Sequence, residues 1–304
     1  MDIRVPRKKG IGFILAIFSA VLWGTNGTFC AILSELGLST IHIAILAPMY
    51  IFVFYFLALV LTNPSAFIVK RKYLLLLMID GISASGVNFS FVKSVTYFPV
   101  GIVSTLLFCN VFIIMILSRV IFKNKITLQK VLAAIVAVFG VALVLNIFSA
   151  GFSLNYLGLF WVILTILMWS MMVIIEKYLL DHSVHGNAIL MYMGLFAVIC
   201  LSFISPPWTV VQSIVIISEQ TAGMALLAVF GYGMIPQIGS YYLYIRSLQF
   251  IEPSYIQVAY SLDPVTAVIL GYFIFHQSMN LTQIFGILVI LTVVGYIQVK
   301  EYKR

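Results

Sequence analysis

The chain has 304 residues, of which 63% are hydrophobic and only 9% are charged. Soluble globular proteins carry roughly 25% charged residues, so this composition excludes a soluble globule and predicts an integral membrane protein. The formal net charge of +8 would suggest nucleic-acid binding in a soluble protein. Here the charge lies mainly in loops and tails, where it reports membrane topology.

Ten apolar segments bounded by charged residues, proline or asparagine follow one another along the sequence. They cover about residues 10–32, 40–61, 73–94, 98–119, 127–147, 156–179, 187–205, 222–246, 253–275 and 281–299. A helix of about 20 apolar residues crosses a hydrocarbon core of roughly 30 Å, and each segment is close to that length. We therefore predict an all-α integral membrane protein with ten transmembrane helices.

The distribution of lysine and arginine predicts the orientation of these spans. With ten spans, every Lys and Arg except Lys93 falls on the side of the N-terminus, and cytoplasmic loops are enriched in both residue types. We therefore predict cytoplasmic N- and C-termini in a multi-pass protein of the plasma membrane, with a bacterial inner membrane as the expected location. The three cysteines lie within apolar runs and predict neither a disulfide framework nor a metal site.

The two halves of the sequence repeat each other weakly. A shift of 146 residues pairs Gly12 with Gly158, Ser19 with Thr165 and Trp23 with Trp169, and a shift of 154 residues pairs Pro99 with Pro253 and Gln129 with Gln283. Each half would hold five spans, an odd number, so the second half would enter the membrane in the opposite orientation. We predict two inverted five-helix repeats, residues 1–150 and 151–304, with a substrate site where the halves meet.

Several of these features together resemble a known family over the whole chain. Trp23 and Gly24 late in the first span are echoed by Trp169, and the fourth and ninth spans each begin with a proline. The tenth span carries the pattern Gln-Ile-Phe-Gly-Ile at residues 283–287. In these respects the chain resembles the drug/metabolite transporter superfamily, specifically its ten-span EamA-like branch.

The resemblance implies a secondary transporter with a central cavity between its repeats, often an exporter of amino acids or related metabolites. The family commonly has a proline near the middle of the ninth span, which Pro264 matches, whereas Asn110 occupies the paired position in the fourth span. The acidic residue that often follows these two spans is replaced by Phe122-Lys123 and by His276-Gln277.

Asp263 lies beside Pro264 at the centre of the ninth span. A carboxylate at the middle of a membrane helix costs roughly 2.5–3.5 kcal/mol on insertion scales, so it is rarely kept unless it faces protein or water. Pro264 has no amide hydrogen and leaves the carbonyl of Tyr260 without its helical donor. We predict a site for a proton, a cation or a polar solute, with Asp263 as the coupling residue. The alternative is a kinked helix whose aspartate bonds to a neighbour.

Polar and aromatic residues at helical spacing are the candidates for a substrate cavity. The eighth span carries the most polar stripe, which either lines a cavity or makes interhelical hydrogen bonds worth about 0.6 kcal/mol each. The predicted substrate-binding residues are Trp23, Asn26, Asn88, Phe91, Asn110, Trp169, Gln237, Tyr241, Tyr244, Gln257 and Tyr260.

Two further acids allow more than one interpretation. Glu176 ends a stripe on the sixth span, and we expect Lys177 and Arg246 to neutralise it near the membrane surface. Its functional alternative is a second coupling site that alternates with Asp263. Asp80 in the third span could reach basic residues at the rim or the cavity.

The function expected from these residues is transport of a small organic metabolite, an amino acid or related solute, by alternating access with proton coupling. Two aromatic faces, Trp23 with Phe91 and Tyr241 with Tyr260, could instead cage a quaternary ammonium group, which makes uptake of a choline-like solute the alternative. We find no Ser/His, paired-Asp or His-rich arrangement typical of an intramembrane enzyme and no repeated selectivity sequence of a channel. The expected partners are a small-molecule substrate and membrane lipids, without nucleic acid or cofactor, in a monomer or homodimer.

Overall fold

The computed structural model describes residues 4–98, 100–147 and 155–302. Within these ranges the chain is helical and contains no β-strand. The helices are α1 Arg4–Gly24, α2 Asn26–Glu35, α3 Thr40–Thr62, α4 Arg71–Val95, α5 Val100–Leu107, α6 Asn110–Phe122, α7 Leu128–Val144, α8 Tyr156–Asp181, α9 Gly186–Ser202, α10 Pro207–Gln220, α11 Met224–Tyr232, α12 Ser240–Ser247, α13 Pro253–Ala259, α14 Leu262–Phe275 and α15 Leu281–Tyr302.

Seven helical stretches in the described chain are long and apolar enough to cross a membrane. They are Lys9–Glu35, Thr40–Thr62, Arg71–Val95, Ile102–Phe122, Tyr156–Asp181, Pro253–Phe275 and Leu281–Val299. Helices α9 and α10 would make an eighth as one span bent by 87°, and α7 is a shorter apolar helix. The molecule is therefore a multi-pass membrane protein, while the count of ten spans and the cytoplasmic termini stay predictions.

Helix α10 is an element that the apolar pattern did not predict. It begins directly after the Ser205–Pro206 bend and runs at a steep angle to α9. Its apolar residues are divided, because Val210 and Ile217 are buried whereas Trp208 and Ile216 are largely exposed. A short two-sided helix of this kind gives too little continuous hydrophobicity to be recognised as a span.

Four of the predicted spans are interrupted near their middle. Helix α1 passes into α2 at Thr25, α5 into α6 at residues 108–109, and α13 into α14 at residues 260–261. Between α11 and α12 the segment Gly233–Gly239 is π-helical and contains Pro236, which has no amide hydrogen to continue the α-helical pattern. At the α13–α14 break, the carbonyl of Tyr260 accepts from the amide of Asp263 at 3.0 Å. Backbone helix ends therefore lie inside the protein.

The two halves pack on each other with an approximate symmetry: several contacts between a helix of one half and a helix of the other have a matching contact between the equivalent helices. Helix α4 packs on α8 as α1 packs on α12, and α6 packs on α8 as α1 packs on α14. A hydroxyl pair joins each of the first two contacts: Ser90 and Thr165 lie 2.8 Å apart, and Ser19 and Ser240 lie 3.2 Å apart. Helices α3 with α9 and α7 with α15 pack on their own counterparts.

The ends of the fourth and ninth spans are also built alike. Lys123 closes α6 and His276 closes α14, both with positive φ angles, 58° and 53°. In each case the next amide bonds back to the preceding turn, from Asn124 to Ser118 and from Gln277 to Gly271. This is the usual left-handed helix cap, and the two halves use it at equivalent places without glycine.

Lys130 joins the halves at the start of α7. Its ammonium pairs with Glu252, the residue before α13, and lies 4.7 Å from the centre of the Tyr255 ring. Only 7% of the Lys130 side chain is exposed, so removing it leaves a partly buried carboxylate without its cation.

We expect Lys130→Ala to lower the free energy of unfolding by about 1–2 kcal/mol, the low end for charged hydrogen bonds because Glu252 is partly exposed. Thermal melting of the purified protein in detergent measures the effect. The control is Lys125→Ala, whose side chain is exposed on the preceding loop. Equal melting temperatures for the two variants would show that the ion pair contributes nothing.

Candidate substrate cavity

A cavity in the described part of the chain lies between the two halves. Its volume of about 210 Å³ is somewhat smaller than the 300–1,000 Å³ that is typical of sites for drug-sized ligands. The residues that line it are Trp23, Asn26, Val87, Asn88, Phe91, Ser104, Leu107, Phe108, Asn110, Trp169, Gln257, Tyr260 and Asp263. Both halves therefore contribute to one chamber.

Nine of these lining residues were predicted from the sequence as substrate-binding or coupling residues. They are Trp23, Asn26, Asn88, Phe91, Asn110, Trp169, Gln257, Tyr260 and Asp263. Sequence reasoning missed Val87, Ser104, Leu107 and Phe108. Ser104 and Phe108 are four residues apart and so share a helix face, which is the signal that could have identified them. Pro99, the predicted start of the fourth span, lies outside the described residues.

The remaining predicted binding residues line two smaller cavities beside the chamber. Gln237 and Tyr241 adjoin a space of about 80 Å³ that also contacts Trp23 and Asn88. Tyr244 lines a space of about 20 Å³ together with Tyr241 and other chamber residues. These side chains therefore extend the chamber wall toward α12.

Three interrupted helices bring polar residues to the chamber. Asn26 is the first residue of α2, Asn110 is the first of α6, and Asp263 lies in the first turn of α14. Broken helices whose ends face a central site are typical of transporters. Each such end also carries the partial positive charge of a helix N-terminus. The chamber thus combines fixed backbone dipoles with side-chain amides and one acid.

Side-chain amides connect the halves across the chamber. Asn110 Nδ2 donates to Gln257 Oε1 at 3.3 Å, and Gln237 Nε2 donates to Asn26 Oδ1 at 2.9 Å. The oxygens of the two donating amides, Asn110 Oδ1 and Gln237 Oε1, are buried without a hydrogen-bond partner in the described chain. Two acceptors beside the chamber are therefore ready to receive hydrogen bonds.

The aromatic side chains of the chamber meet edge to face. Trp23 contacts Trp169, with ring centroids 6.5 Å apart, and Tyr241 at 5.3 Å. The series continues from Tyr241 to Tyr244 at 6.2 Å and from Tyr244 to Tyr260 at 6.0 Å. The two aromatic faces expected to hold a solute, Trp23 with Phe91 and Tyr241 with Tyr260, stay a prediction, and Trp23 and Phe91 both line the chamber. The connected row of rings joins Trp23 to Tyr260 through the two tyrosines of α12.

Asp263 is the one side chain with a formal charge among the described residues that line the chamber. It makes no side-chain hydrogen bond or ion pair within the described ranges, so the alternative of an aspartate bonded to a neighbour is wrong. The helix break explains this position, because α14 begins at Leu262 and so places Asp263 in its first turn. The carboxyl group faces the chamber space without a cation.

The expected neutralisation of Glu176 at the membrane surface is also wrong. Its side chain is fully buried, and one carboxylate oxygen accepts from the Tyr244 hydroxyl at 2.6 Å. Lys177, the next residue, points to the other side of α8, where it pairs with Asp181 at 2.8 Å and donates to the Leu248 carbonyl. Arg246 lies over the Tyr242 ring. Adjacent positions on a helix face different directions, which accounts for the difference.

The chamber lies toward one end of the α4–α8 pair. These helices run antiparallel, because Tyr73 meets His182 at one end, with ring centroids 5.9 Å apart, and Phe89 meets Trp161 at the other. We name them the Tyr73 end and the Trp161 end. The lining residues Asn88 and Phe91 lie in the half of α4 nearer the Trp161 end. At the Tyr73 end the side chains of Leu77 and Leu179 are fully buried.

A multi-pass helical protein with one chamber shared by two similarly packed halves has the architecture of a membrane transporter. The sequence matches the EamA-like transporter family twice, over residues 10–146 and again over residues 156–297. The chain therefore belongs to the EamA-like transporter family, and the resemblance to the drug/metabolite transporter superfamily is confirmed. Members of this family are transporters of small molecules and not enzymes.

A protein of known crystal structure shares the fold. It superposes with a TM-score of 0.76, covering 96% of this chain and 98% of that chain at 13% sequence identity. At this identity the likeness establishes the fold alone. No protein of curated function matches the sequence.

Proposed function

We propose that this protein is a secondary transporter that moves a small organic solute with an amino group by alternating access. The observation that carries the proposal is the single chamber formed by both halves, with Asp263 unpaired on its wall. The solute is an amino acid or a related metabolite, and export from the cell is the direction we propose.

The chemistry of the chamber wall favours an amino group. Asp263 and the free oxygen of Asn110 are hydrogen-bond acceptors, and no lysine or arginine is among the described lining residues. Trp23, Phe91 and Trp169 offer ring faces to a cation, each worth about 0.5–2 kcal/mol. The start of α6 supplies the partial positive charge of a helix N-terminus, which suits a carboxylate. These groups together match both charges of an amino acid.

A choline-like quaternary ammonium solute is the second candidate. The same tryptophans and Asp263 fit such a cation, which needs no hydrogen-bond acceptor. The free oxygen of Asn110 distinguishes the two, because only a solute with N–H groups satisfies it. Truncating Asn110 therefore affects a primary amine more than a quaternary one.

The position of Asp263 supports proton coupling as part of the proposal. A carboxyl group that is neutral while buried and ionised when open to water can carry a proton across with the solute or against it. A proton and an ammonium group cannot both occupy the same carboxylate, so their competition would link the two fluxes.

The architecture that we propose for transport has ten spans in two inverted repeats, residues 1–150 and 151–304. Both termini lie in the cytoplasm of a cell whose plasma membrane holds the protein as a monomer or homodimer. The similar packing of α1 on α12 and of α4 on α8 supports this arrangement. Transport would proceed as one end of the chamber closes and the other opens.

A thermal-shift screen of the purified protein against a metabolite panel, followed by counterflow of the hits in liposomes, tests the function. We expect stabilisation by an amino acid or amine, saturable counterflow, and about five- to thirtyfold weaker binding in Trp23→Ala, since losing a desolvated ring costs about 1–2 kcal/mol. The control is Trp208→Ala, whose ring is exposed on α10. Flux that does not saturate, or conversion of a solute to a product, would contradict the carrier.

A further inference from the structure

A second acidic site lies on the far side of the aromatic row from Asp263. Asp80 on α4 and Glu176 on α8 interact electrostatically across the contact between these helices. Asp80 is seven residues from Tyr73, which places it about 10 Å inside the Tyr73 end at 1.5 Å per residue. Neither side chain lines the chamber.

Burial and missing partners make this pair unusual. Both side chains have no exposed surface. Glu176 receives one hydrogen bond, from Tyr244, whereas its other oxygen and both oxygens of Asp80 lack any partner in the described chain. An ionised carboxylate only accepts hydrogen bonds, and a buried one without donors or a cation costs several kcal/mol. Ionising both carboxyl groups of the pair would cost more free energy still, because the two negative charges repel each other.

Among the described residues, no cation faces the pair from the helices packed around it. The titratable groups that interact with these acids are Tyr241 and Tyr244 on α12 and Tyr260 at the end of α13. From α9, Tyr192 bonds instead to the Phe67 carbonyl, and from α6, Arg119 bonds to the Lys123 carbonyl. Lys177 on α8 is directed to Asp181. The charge at the pair is therefore uncompensated by any described residue.

We propose that Asp80 and Glu176 form a proton-binding site, separate from Asp263, in which Asp80 holds one proton and Glu176 remains the acceptor of the Tyr244 hydrogen bond. Two interacting carboxyl groups titrate as a pair and retain one proton between them where both cannot ionise. The hydrogen bond that Tyr244 donates stabilises a negative charge on Glu176, so we place the charge of the pair there. Asp80, which has no donor, is the neutral partner.

The location of the site gives the proton a role in transport, and this step rests on the proposed function. Helix α4 belongs to the first half, and α8 and α12 belong to the second. Opening of the Tyr73 end would separate these helices and admit water. The O–H bond of Asp80 would then break, its proton would pass to water, and a hydrated carboxylate would remain. Closing the end again requires that a proton return, so the site would link closure to proton uptake.

The infrared spectrum of the full chain in lipid nanodiscs tests the site directly. A protonated carboxyl group gives a carbonyl band that shifts on deuterium exchange. At neutral pH we expect a component of this band that is present in the wild type and in Glu176→Gln and is missing in Asp80→Asn. Glu35→Gln, whose side chain is exposed, is the matched control and should leave the spectrum unchanged. An Asp80→Asn spectrum identical to that of the wild type would overturn the proposal.

A second variant keeps the test decisive if Asp80→Asn does not fold. Tyr244→Phe removes the donor to Glu176 without changing its packing, so Glu176 should take up a proton and the band should grow. An unchanged band in Tyr244→Phe would also overturn the assignment. The infrared spectra of both variants can be measured without any solute transport. A protein with these bands that carries no solute would therefore refute the proposed function and leave the proton site standing.

Discussion

Replacing Asp263 with asparagine is expected to abolish solute transport driven by a pH gradient. Asparagine keeps the volume and polarity of the side chain but cannot gain or lose a proton at any accessible pH. Because Asp263 is the one described chamber residue with a formal charge, no other lining group can replace it. We expect pH-driven flux to fall to the level of empty liposomes.

The control for this prediction is Asp181→Asn, which removes an acid of α8 that is paired with Lys177 and partly exposed. It should leave pH-driven flux near the wild-type value. Affinity for an amine should also fall in Asp263→Asn, because the counter-charge is gone. Unchanged pH-driven flux in Asp263→Asn would remove this residue from the coupling mechanism, although a passive carrier would remain possible.

The second large effect is structural, at the crossing of α7 and α15. A Cβ atom on Gly286 would lie 2.8 Å from the backbone nitrogen of Val144 and 2.9 Å from the carbonyl oxygen of Gly140. Backbone atoms of a packed helix cannot move aside as a flexible side chain can. We expect Gly286→Val to lower the free energy of unfolding by about 3 kcal/mol, the upper part of the usual range for overpacking.

Gly295→Val on the same helix is the matched control, because a Cβ there meets no atom within 4 Å. Both variants carry the same change in helix propensity. The difference between their melting temperatures therefore reports only the steric effect at the helix crossing. Melting temperature and monodispersity in detergent are the measurements. If the two variants melted together, the close approach of α7 and α15 would be refuted.

The sequence was sufficient to predict the class of fold and most of the chamber. The apolar helices could be predicted from the lengths of the apolar runs, because the thickness of a bilayer requires about 20 apolar residues in each spanning helix. A carboxylate at the centre of a span costs free energy unless it faces protein or water, and this indicated that Asp263 lies at a site. Pro264 has no amide hydrogen, and this indicated the helix break beside it. Tryptophans at matching positions of the two halves identified Trp23 and Trp169, which contact each other in the structure.

What the sequence could not predict depends on how helices rotate about their axes. Glu176 and Lys177 are neighbours in the chain, yet one is buried against Tyr244 and the other reaches a surface acid. Local spacing does not reveal which face of α8 turns inward. Helix α10 was missed because a short two-sided helix has no sustained apolar run.

Locking the Tyr73 end tests most directly whether the two halves separate there during transport. The pair Tyr73→Cys and His182→Cys would be introduced after Cys30, Cys109 and Cys200 are replaced by alanine, and would then be joined by a short, cleavable cross-linker. Our account predicts that cross-linking stops solute counterflow and that cleavage restores it. Full counterflow with the two helices joined would contradict it.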